Sequence, residues 1–183
     1  MLEGINHLVT ELSNVDMSAI TQEIETRSQT SSKDGQIYQE MVNFFKKEDW
    51  FFVPIEQQPV LQMAFQGDSG KWTCYARARD EQQQFIFYSV CSANAPENKR
   101  PALAELIARV NYGMILGNFE LDFTDGEIRY KTSIDVGKDK LTYELIRQVV
   151  YSNVMMMDKY QPGIMSVIYS DVSPEEAIKQ IEI

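Results

Sequence analysis

The sequence predicts an α+β domain: an antiparallel β-sheet, built from a three-stranded meander plus a β-hairpin, packed against helices. Three observations carry this. Residues 60–91 hold three runs of period-2 apolar alternation, separated only by the short turn-rich stretches GDSG and DEQQ. Residues 117–135, GNFELDFTDGEIRYKTSID, alternate in the same way on both sides of Asp125-Gly126. Before, between and after these runs, apolar residues recur at helical spacing.

Taken in order, residues 1–35 differ from the rest. Leu2, Ile5, Leu8 and Leu12 follow a helical spacing, Ile20 and Ile24 suggest a second short turn, and QTSSKDG (29–35) reads as a linker. A helical extension over 1–35 and a domain over 36–183 are therefore expected. Ile37, Met41, Phe44 and Phe45 mark an amphipathic helix ending near Lys47. Trp50–Ile55 is an apolar run interrupted by Pro54.

The meander strands are expected at 60–66, 71–79 and 84–91. Leu61, Met63, Phe65, Trp72, Cys74, Ala76, Ala78, Phe85, Phe87 and Cys91 then face the core. Val60, Gln62, Thr73, Tyr75, Arg77, Arg79, Ile86, Tyr88 and Val90 face the other way. In this register Tyr75 opposes Tyr88, Thr73 opposes Val90 and Arg77 opposes Ile86. This outward face is half apolar, so Val60, Tyr75, Arg77, Ile86, Tyr88 and Val90 are the candidate partner-binding residues.

A helix follows over 98–113, with Asn98 as cap, Pro101 in its first turn and Gly113 as its stop. If Asp125-Gly126 is a two-residue hairpin loop, Phe123 faces Ile128, Leu121 faces Tyr130 and Phe119 faces Thr132. The opposite face then pairs Asp122 with Arg129 and Glu120 with Lys131. A helix is expected from Leu141 to about Met157; Pro162 starts a second segment, PGIMSVIYSD, whose apolar spacing fits a helix although its β-branched residues would also suit a strand. Ser173-Pro174-Glu175-Glu176 reads as a helix start.

Composition bounds the function. The chain has 183 residues and a net charge of −10, which disfavours nucleic acid and anionic membrane surfaces and is compatible with a basic protein partner. No apolar run reaches a membrane-spanning length. The first residues, MLEGINHLVTEL, lack the basic and apolar regions of a signal peptide, so a cytoplasmic protein is expected. The two cysteines, Cys74 and Cys91, fall diagonal to one another in the strand register and are expected as buried free thiols.

Candidate chemistry is sparse. His7 is the only histidine; it lies in the extension, where a solvated surface role outweighs a catalytic one. One histidine without a cysteine pair makes a zinc site improbable. No phosphate-binding glycine motif is present. GDSG joins two strands, whereas a nucleophile elbow joins a strand to a helix. The acidic pairs Glu175/Glu176 and Asp122/Asp125 have structural explanations at a helix start and a turn. Met155, Met156 and Met157 point three ways from a helix, so packing explains them better than a ligand site does.

The blocks ARVNYG (108–113), GNFELDFTDGEIRYKTSIDV (117–136), VYSNVMMMDKYQPGIMSVIY (150–169) and SPEEAI (173–178) resemble the YbjN family, most closely its cyanobacterial branch. The resemblance spans roughly residues 36–183. The family is often labelled a group of sensory transduction regulators, and its fold resembles type III secretion chaperones, small acidic proteins that commonly dimerise and hold segments of partner polypeptides. The resemblance implies a secretion-chaperone-like fold, a protein partner, a possible homodimer, no catalytic residues, no cofactor and no metal. Two functions are thus expected: a non-enzymatic protein-binding module using the meander's outward face, or a small-ligand sensory domain with a pocket between sheet and helices. Coverage of the outward face by residues 1–35 is an alternative to an outside partner.

Overall fold

The stripe Ile37, Met41, Phe44 and Phe45 folds as helix α1, Gln36–Lys47, with all four side chains buried, in the computed structural model, which describes residues 35–182. The expectations for residues 1–34, His7 included, lie outside the described residues. The first turn of α1 is capped from far along the chain: Asp80 Oδ1 accepts the Ile37 N–H at 2.7 Å. Strand β1 follows at Phe52–Pro54, then β2 at Val60–Gly67, β3 at Gly70–Arg79 and β4 at Gln84–Val90. Helix α2 spans Arg100–Tyr112, β5 Asn118–Leu121, β6 Ile128–Asp135, α3 Tyr143–Tyr169 and α4 Pro174–Ile181.

The strands form one six-stranded antiparallel sheet in the order β1-β2-β3-β4-β6-β5. The meander and the hairpin are thus one sheet, joined where β4 pairs with β6. The α+β class read from the sequence is the one observed. Helix α1 packs on β3 and β4, α3 on β2, β4 and β6, and α2 on β5, while α4 lies against α2 and α3. Leu61, Met63, Trp72, Cys74, Ala76, Ala78, Phe85, Phe87, Ile128 and Tyr130 are buried against these helices. The rings of Phe45 and Phe87 stack at 6.1 Å between centroids.

Within this core, α3 is fixed to the sheet by one amide. Asn153, fully buried, donates from Nδ2 to the carbonyls of Phe87 and Tyr130 at 3.0 and 3.1 Å and approaches Thr132 Oγ1 at 3.0 Å. Thr132 Oγ1 donates in turn to the Val149 carbonyl at 2.9 Å.

The sequence expectations fail at four places. First, Asp125-Gly126 is not a two-residue loop. Leu121 faces Ile128 and Phe119 faces Tyr130, so the register is shifted by two from the one expected. The Gly126 N–H donates to the Asp122 carbonyl at 2.8 Å and the Asp122 N–H to the Glu127 carbonyl at 2.9 Å, which closes a four-residue loop, 123–126. Phe123 therefore sits in the loop and is 58% exposed. Glu120, not Asp122, lies opposite Arg129. Second, Asn98 does not cap α2; a 3-10 turn over Glu97–Lys99 precedes the helix, and its N-cap is Lys99. Third, α3 runs unbroken through Pro162 for 27 residues. Pro162 is exposed, so the Asp158 carbonyl left without a helical N–H partner lies on the solvent side. Fourth, the sheet has a strand beyond the meander and hairpin: within the apolar run 50–55, to which the sequence assigned no element, Phe52–Pro54 pairs at the sheet edge, where a proline is tolerated.

The two-residue turn occurs instead at Asp68-Ser69, since Gly67 pairs with Gly70. It is held from α3. Asp158 accepts the Ser69 N–H at 2.8 Å, the Ser69 hydroxyl at 2.5 Å and the Asp68 N–H at 3.1 Å. Burial raises the Asp158 pKa, but the hydrogen bonds from Ser69 and Asp68 outweigh it and hold the carboxyl below the usual aspartate value. A depressed folded-state pKa contributes stability that is full above the unfolded value and is lost as pH falls through the folded one. We expect Asp158→Asn to cost about 1 kcal/mol at neutral pH, with the gap to wild type closing below about pH 4. Urea titrations across that range read the difference directly; a gap independent of pH would show that the carboxylate charge is not what anchors the turn.

Candidate partner-binding face

Because side chains alternate along a strand, the sheet face opposite the helices is built from the residues between the core positions. It carries Gln62 and Ala64 from β2, Lys71, Thr73, Tyr75, Arg77 and Arg79 from β3, and Gln84, Ile86, Tyr88 and Val90 from β4. Pairing with β6 and β5 extends it through Arg129, Lys131, Ser133, Asp135, Asn118 and Glu120. Among the described residues no helix packs on this face.

The register expected across the meander is observed. Tyr75 lies opposite Tyr88, Thr73 opposite Val90 and Arg77 opposite Ile86, with Val60 on the other side of Arg77. Tyr75, Ile86, Tyr88 and Val90 are half-buried and Arg77 is exposed. Val60 is only 7% exposed and offers little surface. The alternation could not reveal that Arg129 and Lys131 join the same face, because that depends on β6 pairing with β4. The Arg129 guanidinium lies 4.7 Å from the Tyr88 ring centroid. It also bonds Glu120 at 2.7 Å and Glu127 at 3.5 Å, and Lys131 bonds Glu120 as well. Burial raises the Glu120 pKa, yet the bonds from Lys131 and Arg129 bring it below the usual value. Arg79 donates to Gln84 Oε1 at 2.9 Å, and Gln84 donates to Asp135 at 2.9 Å. The face can thus offer aromatic and aliphatic surface at its centre and charge around it.

A second exposed apolar group escaped the sequence reading. Tyr112, the last residue of α2, and Ile115, each 96% exposed, stand beside Leu116, and the latter two lie on the loop between α2 and β5. Its signal was the apolar run between Gly113 and Gly117. The loop is tied at its base. Tyr130 OH donates to the Leu116 carbonyl, and Asn111 takes both backbone groups of Phe119, donating from Nδ2 to its carbonyl at 3.0 Å and accepting its N–H at 2.8 Å.

The remaining candidates resolve into structure. Ser69 donates its hydroxyl to Asp158, whose carboxylate also takes the Ser69 and Asp68 N–H groups, so the pair serves to anchor the turn. Glu176 completes a capping box with Ser173, and Glu175 pairs with Arg109 at 3.0 Å. Asp122 and Asp125 accept the N–H groups of Thr124 and Glu127. Met157 is buried, Met156 half-buried and Met155 exposed. Cys74 and Cys91 are buried free thiols; burial pushes Cys74 up to about 12 and raises Cys91 as well. Among the described residues no group of His, Cys, Asp and Glu is placed to hold a metal ion, and no helix is long and apolar enough to cross a membrane. An open depression of about 320 Å³ lies at the hairpin, lined by Glu120, Leu121, Asp122, Phe123, Glu127 and Arg129. It is not the pocket between sheet and helices that a sensory domain would need.

The YbjN family model, described as "Putative bacterial sensory transduction regulator", matches residues 39–165. Among solved structures, the chain is similar to "YbjN, a putative transcription regulator from E. coli", with a TM-score of 0.51 and 15% identity over 70% of this chain and 86% of that one. It is similar to a chain of the ExsC-ExsE complex, with a TM-score of 0.50 and 11% identity over 70% of this chain and 93% of that one. A chain of the HopA1-SchA chaperone-effector complex gives 0.45 and 12% over 70% and 96%. No curated protein matches in sequence. At such identities the structural likeness is one of fold.

Proposed function

This chain belongs to the YbjN family, and from that membership we propose that it is a non-enzymatic, protein-binding module of the regulatory or chaperone-like kind. The observation that carries the reading is the sheet face on which no helix of the described residues packs, where Tyr75 and Tyr88 face each other between Val90 and Ile86. A solvated sheet face usually carries cross-strand charge pairs, as Glu120 and Arg129 do here. Central rings with apolar neighbours suit burial against a partner segment instead. The structural relative from the ExsC-ExsE complex was itself solved in a complex. The buried free thiols of Cys74 and Cys91 accord with a cytoplasmic location. In this reading residues 36–183 are the binding domain and residues 1–35 an extension of it.

Tyr88→Glu tests the reading. The side chain is half-buried and lies under Arg129, so a carboxylate there has a cation beside it and the fold should survive. The variant should keep its circular dichroism and melting curve while losing, by about tenfold or more, any partner that wild type retains from its host. Equal retention by the folded variant would remove this face from the function.

A further inference from the structure

We infer that the partner segment held on this sheet face is acidic. The inference rests on the protein-binding reading above and adds the chemistry of the occupant. The chain as a whole has 27 acidic and 17 basic residues, a balance compatible with a basic partner or with solubility alone. The face reverses that balance. Its strand positions carry the bases Lys71, Arg77, Arg79, Arg129 and Lys131 against the carboxylates Glu120 and Asp135. Both carboxylates are on the β5–β6 side and already engaged, Glu120 by Arg129 and Lys131, Asp135 by the Gln84 amide.

Strand β3, in the middle of the sheet, is different. On this face it reads Lys71, Thr73, Tyr75, Arg77, Arg79. Among the described residues none of its three cations has an acidic partner; the bond of Arg79 is to the neutral Gln84. The run from Lys71 to Arg79 spans about 26 Å at the usual rise per strand residue. An extended segment laid along it would meet a cation near each end and the rings of Tyr75 and Tyr88 between them. Guanidinium groups bind carboxylates through paired, charge-assisted hydrogen bonds. A single-stranded nucleic acid would also find rings and cations here. It brings a charge at every nucleotide, however, against three unpaired cations on a chain of net charge −10. A short peptide whose carboxylates are interspersed with apolar residues matches the face better.

Fluorescence anisotropy with the full chain tests this, using labelled peptides of mixed Glu and Leu, Gln and Leu, or Lys and Leu, and an oligouridylate. The Glu–Leu peptide should bind at least about tenfold more tightly than the Gln–Leu one at low ionic strength, with the preference shrinking as salt rises. The doubly substituted variants Arg77→Glu/Arg79→Glu and, more gently, Arg77→Gln/Arg79→Gln should lose the preference. Lys159→Glu/Lys179→Glu, on helices α3 and α4, should keep it. Equal binding of the Glu–Leu and Gln–Leu peptides would sink the inference and leave the protein-binding reading standing. Tighter binding of the oligouridylate, lost in the same variants, would assign the face to nucleic acid instead. Displacement of the peptide by concentration-dependent dimerisation would assign it to a second copy. Failure of every peptide to bind also sinks the inference, and only if Tyr88→Glu leaves partner capture intact does the reading beneath it fall too.

Discussion

Gly126→Val is expected to destabilise the domain by about 3 kcal/mol or more. Gly126 has φ of +82°, a conformation that a β-branched residue adopts only under strain. Space is also lacking. A Cβ at this position would lie 2.1 Å from the Ala95 carbonyl oxygen, with the Ala95 nitrogen and carbonyl carbon at 2.9 and 3.0 Å. These are backbone atoms of a buried residue, so no rotamer change relieves the contact. The same two segments are joined by the Ala95 N–H donating to the Gly126 carbonyl at 2.7 Å, and the hairpin loop cannot lift away without breaking it. Gly126→Ala should be destabilising too, by less than Val. Urea denaturation measures both. Unchanged midpoint and slope in the Val variant would mean that the loop does not press on Ala95 in solution.

The second large effect is expected at Asn153. Truncation to Ala should cost about 2–4 kcal/mol, from a buried cavity together with the carbonyls of Phe87 and Tyr130 left without their side-chain donor. Asn153→Leu fills the space but restores no donor, so it should recover only part of the loss. Thr132→Val should cost less than Asn153→Ala, because it removes the bond to the Val149 carbonyl and leaves the amide its two strand carbonyls. Chemical denaturation of the three variants orders them. A Leu variant as stable as wild type would show that the amide contributes shape and not hydrogen bonding.

The meander was legible because two constraints acted together. Period-2 alternation fixed which residues shared a face, and short loops left little freedom to slip. Tyr75 against Tyr88 followed from these alone. The hairpin carried the same alternation, but Asp125-Gly126 is compatible with loops of two or four residues. What decided between them was local bonding by Asp122 and the approach of Ala95, thirty-one residues before Gly126 in the chain. The break expected at Pro162 was absent because its side of α3 faces solvent, a property of the packed helix. Asp80 capping α1, Asp158 holding the turn at Ser69 and Asn153 clamping two strands are all polar residues whose partners lie far away in sequence. Composition marks them only as ordinary Asp and Asn. The candidate face was half legible for the same reason: Tyr75, Arg77, Ile86, Tyr88 and Val90 came from alternation, whereas Arg129 and Lys131 needed the pairing of β4 with β6.

The side chain of Asn111 has a consequence for how quickly a bound segment can leave. It occupies the Phe119 N–H and carbonyl on the outer edge of β5, and the opposite edge, β1, is three residues long and ends in Pro54. Neither edge offers a long row of free backbone groups for a partner strand to zip onto. A segment lying across the face must then dissociate by shedding side-chain contacts, without unzipping a ladder of backbone hydrogen bonds. In the proposed reading such a complex would turn over rapidly, with exchange set by a few rings and ion pairs.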